Sequence, residues 1–252
     1  MLRILAIGNS FSEDATRFLH PILDAAGVEN KIVNLYIGGC PLERHWHNIE
    51  ENSAEYEYQP DGEKTDHLVS IDEVLDGMDF DIISTQQASG DSGWENTYEP
   101  FLELMLEHLK ARKPNARYFL HQTWAYETGS LHPHFMRYHR DQQEMFERLR
   151  KAYGDAASRH GLTLIPTGEL VQKLRASGMF DPDKRCICRD GFHLSYLYGR
   201  YAAALLWAKC MAGIDVLSNA FVPEFEGEIA DAAVLDGIKQ QVQAVWESYY
   251  AH

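Results

Sequence analysis

The chain reads as an α/β fold with a parallel sheet covered by helices on both faces. Five short runs rich in Ile, Leu, Val and Phe recur along the 252 residues, and stretches of helical periodicity separate them. That alternation is how parallel sheets are built, each strand feeding a crossover helix. A hydrophobic content of 45% with 12% aromatic residues is enough for a sizeable core. No repeat, low-complexity tract or long linker divides the chain, so one domain over 1–252 is expected.

The first strand is 2–8, Leu2-Arg3-Ile4-Leu5-Ala6-Ile7-Gly8, which ends in a glycine turn before a helix over 15–26. A second strand over 31–37 closes on Gly38-Gly39-Cys40, and a helix over 42–50 follows. Next comes a polar, aromatic stretch in which Tyr56 and Tyr58 alternate with glutamates ahead of Pro60-Asp61-Gly62. Alternation followed by a turn signal reads as a β-hairpin, an insertion around 54–66 expected at the surface near the site. Strands over 80–86, 117–122 and 162–166 then alternate with helices over 98–111 and 134–160, and two further helices cover 194–211 and 230–249. In the 194–211 helix, Leu197, Leu205 and Leu206 mix with Gly199, Ala202 and Ala203, a pattern suited to close packing on a sheet.

A formal net charge of −15 excludes nucleic acid and anionic membrane surfaces as partners, because both need clustered Lys and Arg. No run approaches the ~18 apolar residues of a membrane helix. The first strand begins at residue 2 with no signal peptide before it, so a cytoplasmic location is expected. Cys40, Cys186, Cys188 and Cys210 make no dense disulfide framework, and Cys186-Ile187-Cys188 is one residue tighter than a metal knuckle. They read as thiols, mostly buried.

In an α/β sheet, ligands bind beyond the carboxyl ends of the strands. Ser10 lies two residues past the first strand, at a helix entrance. Alone it reads as a helix cap. Far along the chain, Asp190-Gly191-Phe192-His193 holds a base and the carboxylate that could orient it. Their spacing puts both side chains on one side of a turn. The Gly-x-Ser-x-Gly elbow of α/β-hydrolases is excluded, since Ser12 stands where the second glycine belongs.

Gly8-Asn9-Ser10-Phe11-Ser12 resembles the first block of the SGNH (GDSL-type) hydrolases, and Asp190-Gly191-Phe192-His193 resembles their Asp-x-x-His block. Gly38-Gly39-Cys40 resembles the glycine block after the second strand, and Gln86-Gln87-Ala88-Ser89-Gly90 falls where Gly-x-Asn-Asp is usual. The blocks run in the family's order from residue 8 to 193. Asn9 stands in place of an aspartate, Leu194 in place of a common proline, and glutamines in place of asparagine, so the chain resembles a divergent branch. The resemblance implies a three-layer α/β/α, flavodoxin-like sandwich with a five-stranded parallel sheet. It also implies a serine esterase, with Ser10 as nucleophile, His193 as base and Asp190 as its support. The N–H groups of Ser10 and Gly39 would form the oxyanion hole with the Gln87 amide, Gln86 and Ser89 being rivals for that last place. No cofactor and no metal are implied.

Trp94 and Trp124 follow the third and fourth strands, and His45 follows the glycine block; these are the candidate substrate-binding residues. Ring stacking by the tryptophans would suit a carbohydrate ester, so the expected substrate is a small acyl ester, acetyl above all. Two other classes stay open. One is a metal-dependent hydrolase built on His132, His134 and His139. The other is a non-catalytic binding module on the same fold.

Overall fold

A seven-stranded, mostly parallel sheet organises the chain. The computed structural model describes residues 1–180 and 185–250. Its central strand, β1 (Leu2–Gly8), pairs in parallel with β2 (Asn30–Tyr36) on one side and β5 (Ile82–Thr85) on the other. β6 (Arg117–His121) and β7 (Thr163–Ile165) continue the parallel sheet beyond β5. Ile4, Leu5, Ala6 and Ile7 are all fully buried, as a strand covered on both faces must be. The chain leaves β1 toward β2 and later returns to β1's other side. The crevice at that switch point, outside the strands' carboxyl ends, is where such sheets bind ligands.

The expected count of five strands is corrected to seven. β3 (Tyr56–Pro60) and β4 (Leu68–Val69) extend the sheet beyond β2, with Val33 opposite Pro60 and Tyr56 opposite Val69, both pairings antiparallel. The stretch read as a surface excursion is therefore a sheet edge. Tyr56 is fully buried, and the Asn34 amide donates to Gln59 Oε1 at 2.7 Å. Asp61 and Gly62 make the turn with φ of +53° and +85°. A Cβ at Gly62 would stand 2.5 Å from the Arg17 carbonyl oxygen, so the turn rests directly on the first helical segment.

The helix expected over 15–26 is two: α1 (Ser10–Thr16) and α2 (Leu19–Ala25). Pro21 explains the break, because it cannot donate to the Arg17 carbonyl and its ring would collide with it. Asn9 caps α1 by accepting from Phe11 N at 3.0 Å, so the helix begins earlier than periodicity suggested. α3 (Leu42–Glu50) has the expected bounds. α4 (Ile71–Gly77), capped by Ser70, carried no apolar run long enough to read. α5 (Phe101–Arg112) follows. The stretch over 134–160 divides into a 3₁₀ segment, Pro133–Tyr138, and α6 (Gln142–His160), because His139 and Arg140 take φ of +52° and +57°. α7 (Thr167–Ala176), α8 (Tyr198–Ala212) and α9 (Ala232–Tyr250) complete the chain's larger helices. α1, α2, α7 and α9 pack around α8, while α3 and α5 pack together elsewhere. Among the described residues no helix is long and apolar enough to cross a membrane.

Candidate active site

Ser10 is the first residue of α1, directly beyond the central strand. The turn that puts it there needs glycine at position 8, where a Cβ would meet Ser12 Oγ at 2.6 Å and the Gln86 side chain at 3.1 Å. Asp190 and His193 come from a loop ahead of α8. Asp190 Oδ1 accepts from the main-chain N–H groups of His193 and Phe192, at 2.8 and 3.2 Å, and Gly191 takes the positive φ the turn requires. Asp190 Oδ2 accepts from His193 Nδ1 at 2.6 Å. A carboxylate can only accept, so the proton sits on Nδ1 and Nε2 is left to accept from Ser10 Oγ, 2.8 Å away. Partial burial pushes the Asp190 carboxyl up. The hydrogen bonds from the His193 ring and the two main-chain N–H groups outweigh it and hold Asp190 below the usual range.

Ser10 and His193 open on a pocket of about 470 Å³. Gly39 lines it, with φ +63° and open space where a side chain would be. Asn9 Nδ2 donates to the Cys40 carbonyl at 3.1 Å and fixes this loop against Ser10. Ser89 also lines the pocket, its hydroxyl 2.8 Å from that of Tyr126.

Four expected site residues, and Gln86 as a rival to one of them, lie elsewhere. Gln87 is fully buried; its amide N–H groups go to Thr97 O and Oγ1, and its oxygen accepts from Leu42 N and Ala88 N. It ties loops together and has no donor left for an oxyanion. Gln86 is buried too, donating to Asn9 Oδ1 and accepting from His121 Nδ1. Trp124 stacks on Phe11 with centroids 4.1 Å apart and donates to the Phe192 carbonyl. It braces the flanks of Ser10 and His193 without facing the pocket. Trp94 lies off the pocket beside the guanidiniums of Arg137 and Arg148, 4.8 and 5.2 Å from its ring. His45 is buried beside Tyr56 and Cys40, and burial, with the Arg44 charge, pulls its pKa down to about 3.

His132 and His134 do line the pocket, but His139 points to Glu144 at 2.8 Å on an exposed turn. Among the described residues no three His, Cys, Asp or Glu side chains gather as a metal site would need, so the three histidines do not support the metal alternative. Burial raises the thiols of Cys40, to about 12, and of Cys188 well above its ordinary value, which leaves neither a nucleophile.

No sequence pattern marked Asp14. It is fully buried one turn after Ser10, accepting from Leu194 N at 2.8 Å, Arg200 Nε at 2.7 Å and Arg189 Nη1 at 2.9 Å. Burial pushes its carboxyl up against the pull of Arg200 and Arg189. Lys64, carried by the β3–β4 connection, also reaches the pocket, paired with Glu13 at 3.0 Å.

Comparison with known proteins agrees with this architecture. A family model described as a domain of unknown function (DUF4886) matches residues 3–236. A DUF4886 family protein from Bacteroides uniformis is 33% identical, with TM-score 0.89 over 99% of this chain and 95% of that one. A proposed SGNH hydrolase from Slackia heliotrinireducens is 23% identical, with TM-score 0.61 over 84% and 99% of the two chains. A catalytic mutant of the acetylxylan esterase Axe2 from Geobacillus stearothermophilus is 14% identical, with TM-score 0.54 over 83% and 91%. The fold is thus that of the SGNH hydrolases. No curated protein matches the sequence.

Proposed function

The chain belongs to the DUF4886 family, and from its site we propose that it is a serine esterase that cleaves small acyl esters through an acyl-enzyme. The observation that carries this reading is the unbroken hydrogen-bonded series Ser10 Oγ, His193 Nε2, His193 Nδ1, Asp190 Oδ2. Ser10 Oγ attacks the ester carbonyl while Nε2 takes its proton. Asp190 keeps the other proton on Nδ1 and stabilises the imidazolium. The N–H groups of Ser10 and Gly39 hold the oxyanion, each such donor being worth about 2.7–4 kcal/mol in the transition state. Nε2 then protonates the leaving alkoxide and afterwards activates the water that releases the acid.

The finer reading is an acetyl ester, with a carbohydrate as the alcohol. It no longer leans on Trp94 or Trp124. What supports it is a pocket walled by Tyr36, His132, His134 and Phe192, whose polar and ring surfaces suit a hydroxylated alcohol, together with a fold shared with an acetylxylan esterase. The test is hydrolysis of acetylated sugars and activated acetate esters by wild type and Ser10→Ala. Ser10→Ala should lose nearly all turnover, keeping at most the ~10³–10⁴-fold over water that binding and an oxyanion hole supply. Wild-type turnover in that variant would remove Ser10 as nucleophile.

A further inference from the structure

Ser10 and His193 meet at 2.8 Å, yet they belong to segments 183 residues apart in sequence. Something must fix the distance between helix α1 and the loop that carries the imidazole. Trp124 spans them through Phe11 and the Phe192 carbonyl, and Asp14, which lies on α1 itself, bonds the loop directly. It sits on α1 four residues after Ser10, on the same face of the helix. Its Oδ2 accepts from the main-chain N–H of Leu194, the residue next to His193. Arg189, next to Asp190, donates to both Asp14 oxygens and also to the Leu194 carbonyl. Arg200, at the start of α8, donates its Nε to Asp14 Oδ1 and is itself buried. One buried carboxylate therefore grips the Asp190–His193 loop at both ends and the helix behind it. Leu194 makes this possible, because a proline there would have no N–H to give.

We propose that Asp14 is a positioning residue that locks the helix bearing Ser10 to the loop bearing Asp190 and His193, and so sets the contact between nucleophile and base. The proposal rests on the reading of Ser10 as nucleophile. A misplacement of about 1 Å at such a contact can cost about 10²-fold in rate.

The experiment follows p-nitrophenyl acetate hydrolysis by wild type, Ser10→Ala, Asp14→Asn and the double variant Asp14→Met with Arg200→Met. The double variant removes Asp14 together with Arg200, its buried partner, an exchange of the kind that folds tolerate, and leaves only the partly exposed Arg189 without the carboxylate. Turnover is counted per folded molecule, with the folded fraction taken from circular dichroism. The expected result is a fall in kcat of about 10²-fold in both Asp14 variants, with KM unchanged. Full kcat per folded molecule in either variant, or a change confined to KM, overturns the positioning role and leaves the esterase reading standing. If Ser10→Ala matches wild type, the esterase reading itself fails and takes the proposal with it. Amide hydrogen exchange on wild type supplies a readout that needs no variant to fold. The Leu194 N–H should be protected like the amides inside α1, and exchange as fast as that of an exposed loop overturns the lock.

Discussion

Asn9 serves three partners at once: its Oδ1 accepts from Phe11 N and Gln86 Nε2, and its Nδ2 donates to the Cys40 carbonyl. A carboxylate could keep the first two but would face the Cys40 oxygen with a second acceptor. Asn9→Asp should therefore cost about 1–3 kcal/mol of stability, the usual penalty for an unsatisfied buried group, and should lower kcat by loosening the Gly39 loop. Denaturant melts and the ester assay check this, and an unchanged midpoint would refute it. Asp190→Asn should cut kcat by about 10⁴-fold with KM kept, by the precedent of Ser-His-Asp triads, because an amide donor facing Nδ1 favours the wrong tautomer. A loss smaller than tenfold would show that the carboxylate does little for the imidazole. The meeting of Ser10, Asp190 and His193 was legible because two short motifs carry them on turns that are local, closed by Asn9 and by Asp190 themselves. Gln87, Trp94, Trp124 and His45 were not. The direction of a side chain at a strand end is set by partners distant in sequence, as Leu42 and Thr97 set that of Gln87.

The parallel strands and α3 were legible as elements because apolar runs and periodicity report burial, and burial on both faces is what a central strand undergoes. The β3–β4 pair was harder. Its alternation marked it as strand, but nothing in 54–66 states that Tyr56 and Gln59 turn inward to widen the main sheet. The turn at Gly62 offers a test at this scale. Any side chain there must adopt a strained positive φ and displace the Arg17 carbonyl, so Gly62→Ala should cost about 1–3 kcal/mol. Lys64 lies two residues further on and reaches the pocket wall. The variant should thus raise KM for a bulky ester while leaving kcat on a small activated ester near wild type. Equal thermal midpoints for the variant and wild type would show that the turn bears no strain.

Two fully buried histidines set how the whole molecule answers acid. Burial brings the pKa of His45 and of His121 from 6.5 down to about 3. The unfolded chain then binds protons that the folded one refuses. Stability is complete above the unfolded value of 6.5 and is lost as pH falls from there toward 3, by about 1.4 kcal/mol per pH unit for each group. Urea midpoints at pH 7.5, 6 and 5 should fall in that order, and His121→Gln should flatten the decline; a flat wild-type profile would mean that both rings gain solvent before the fold opens. The distance along the chain between Ser10 and His193 has a further consequence, one of timing. Synthesis is vectorial, and 183 positions separate the two residues. At about 5–20 residues per second the ribosome delivers the imidazole roughly 10–40 s after the hydroxyl. A nascent chain therefore carries the Ser10 hydroxyl without its imidazole partner for most of its translation, and the series from Ser10 to Asp190 closes only once the segment that brings His193 has left the exit tunnel and docked on a helix made long before.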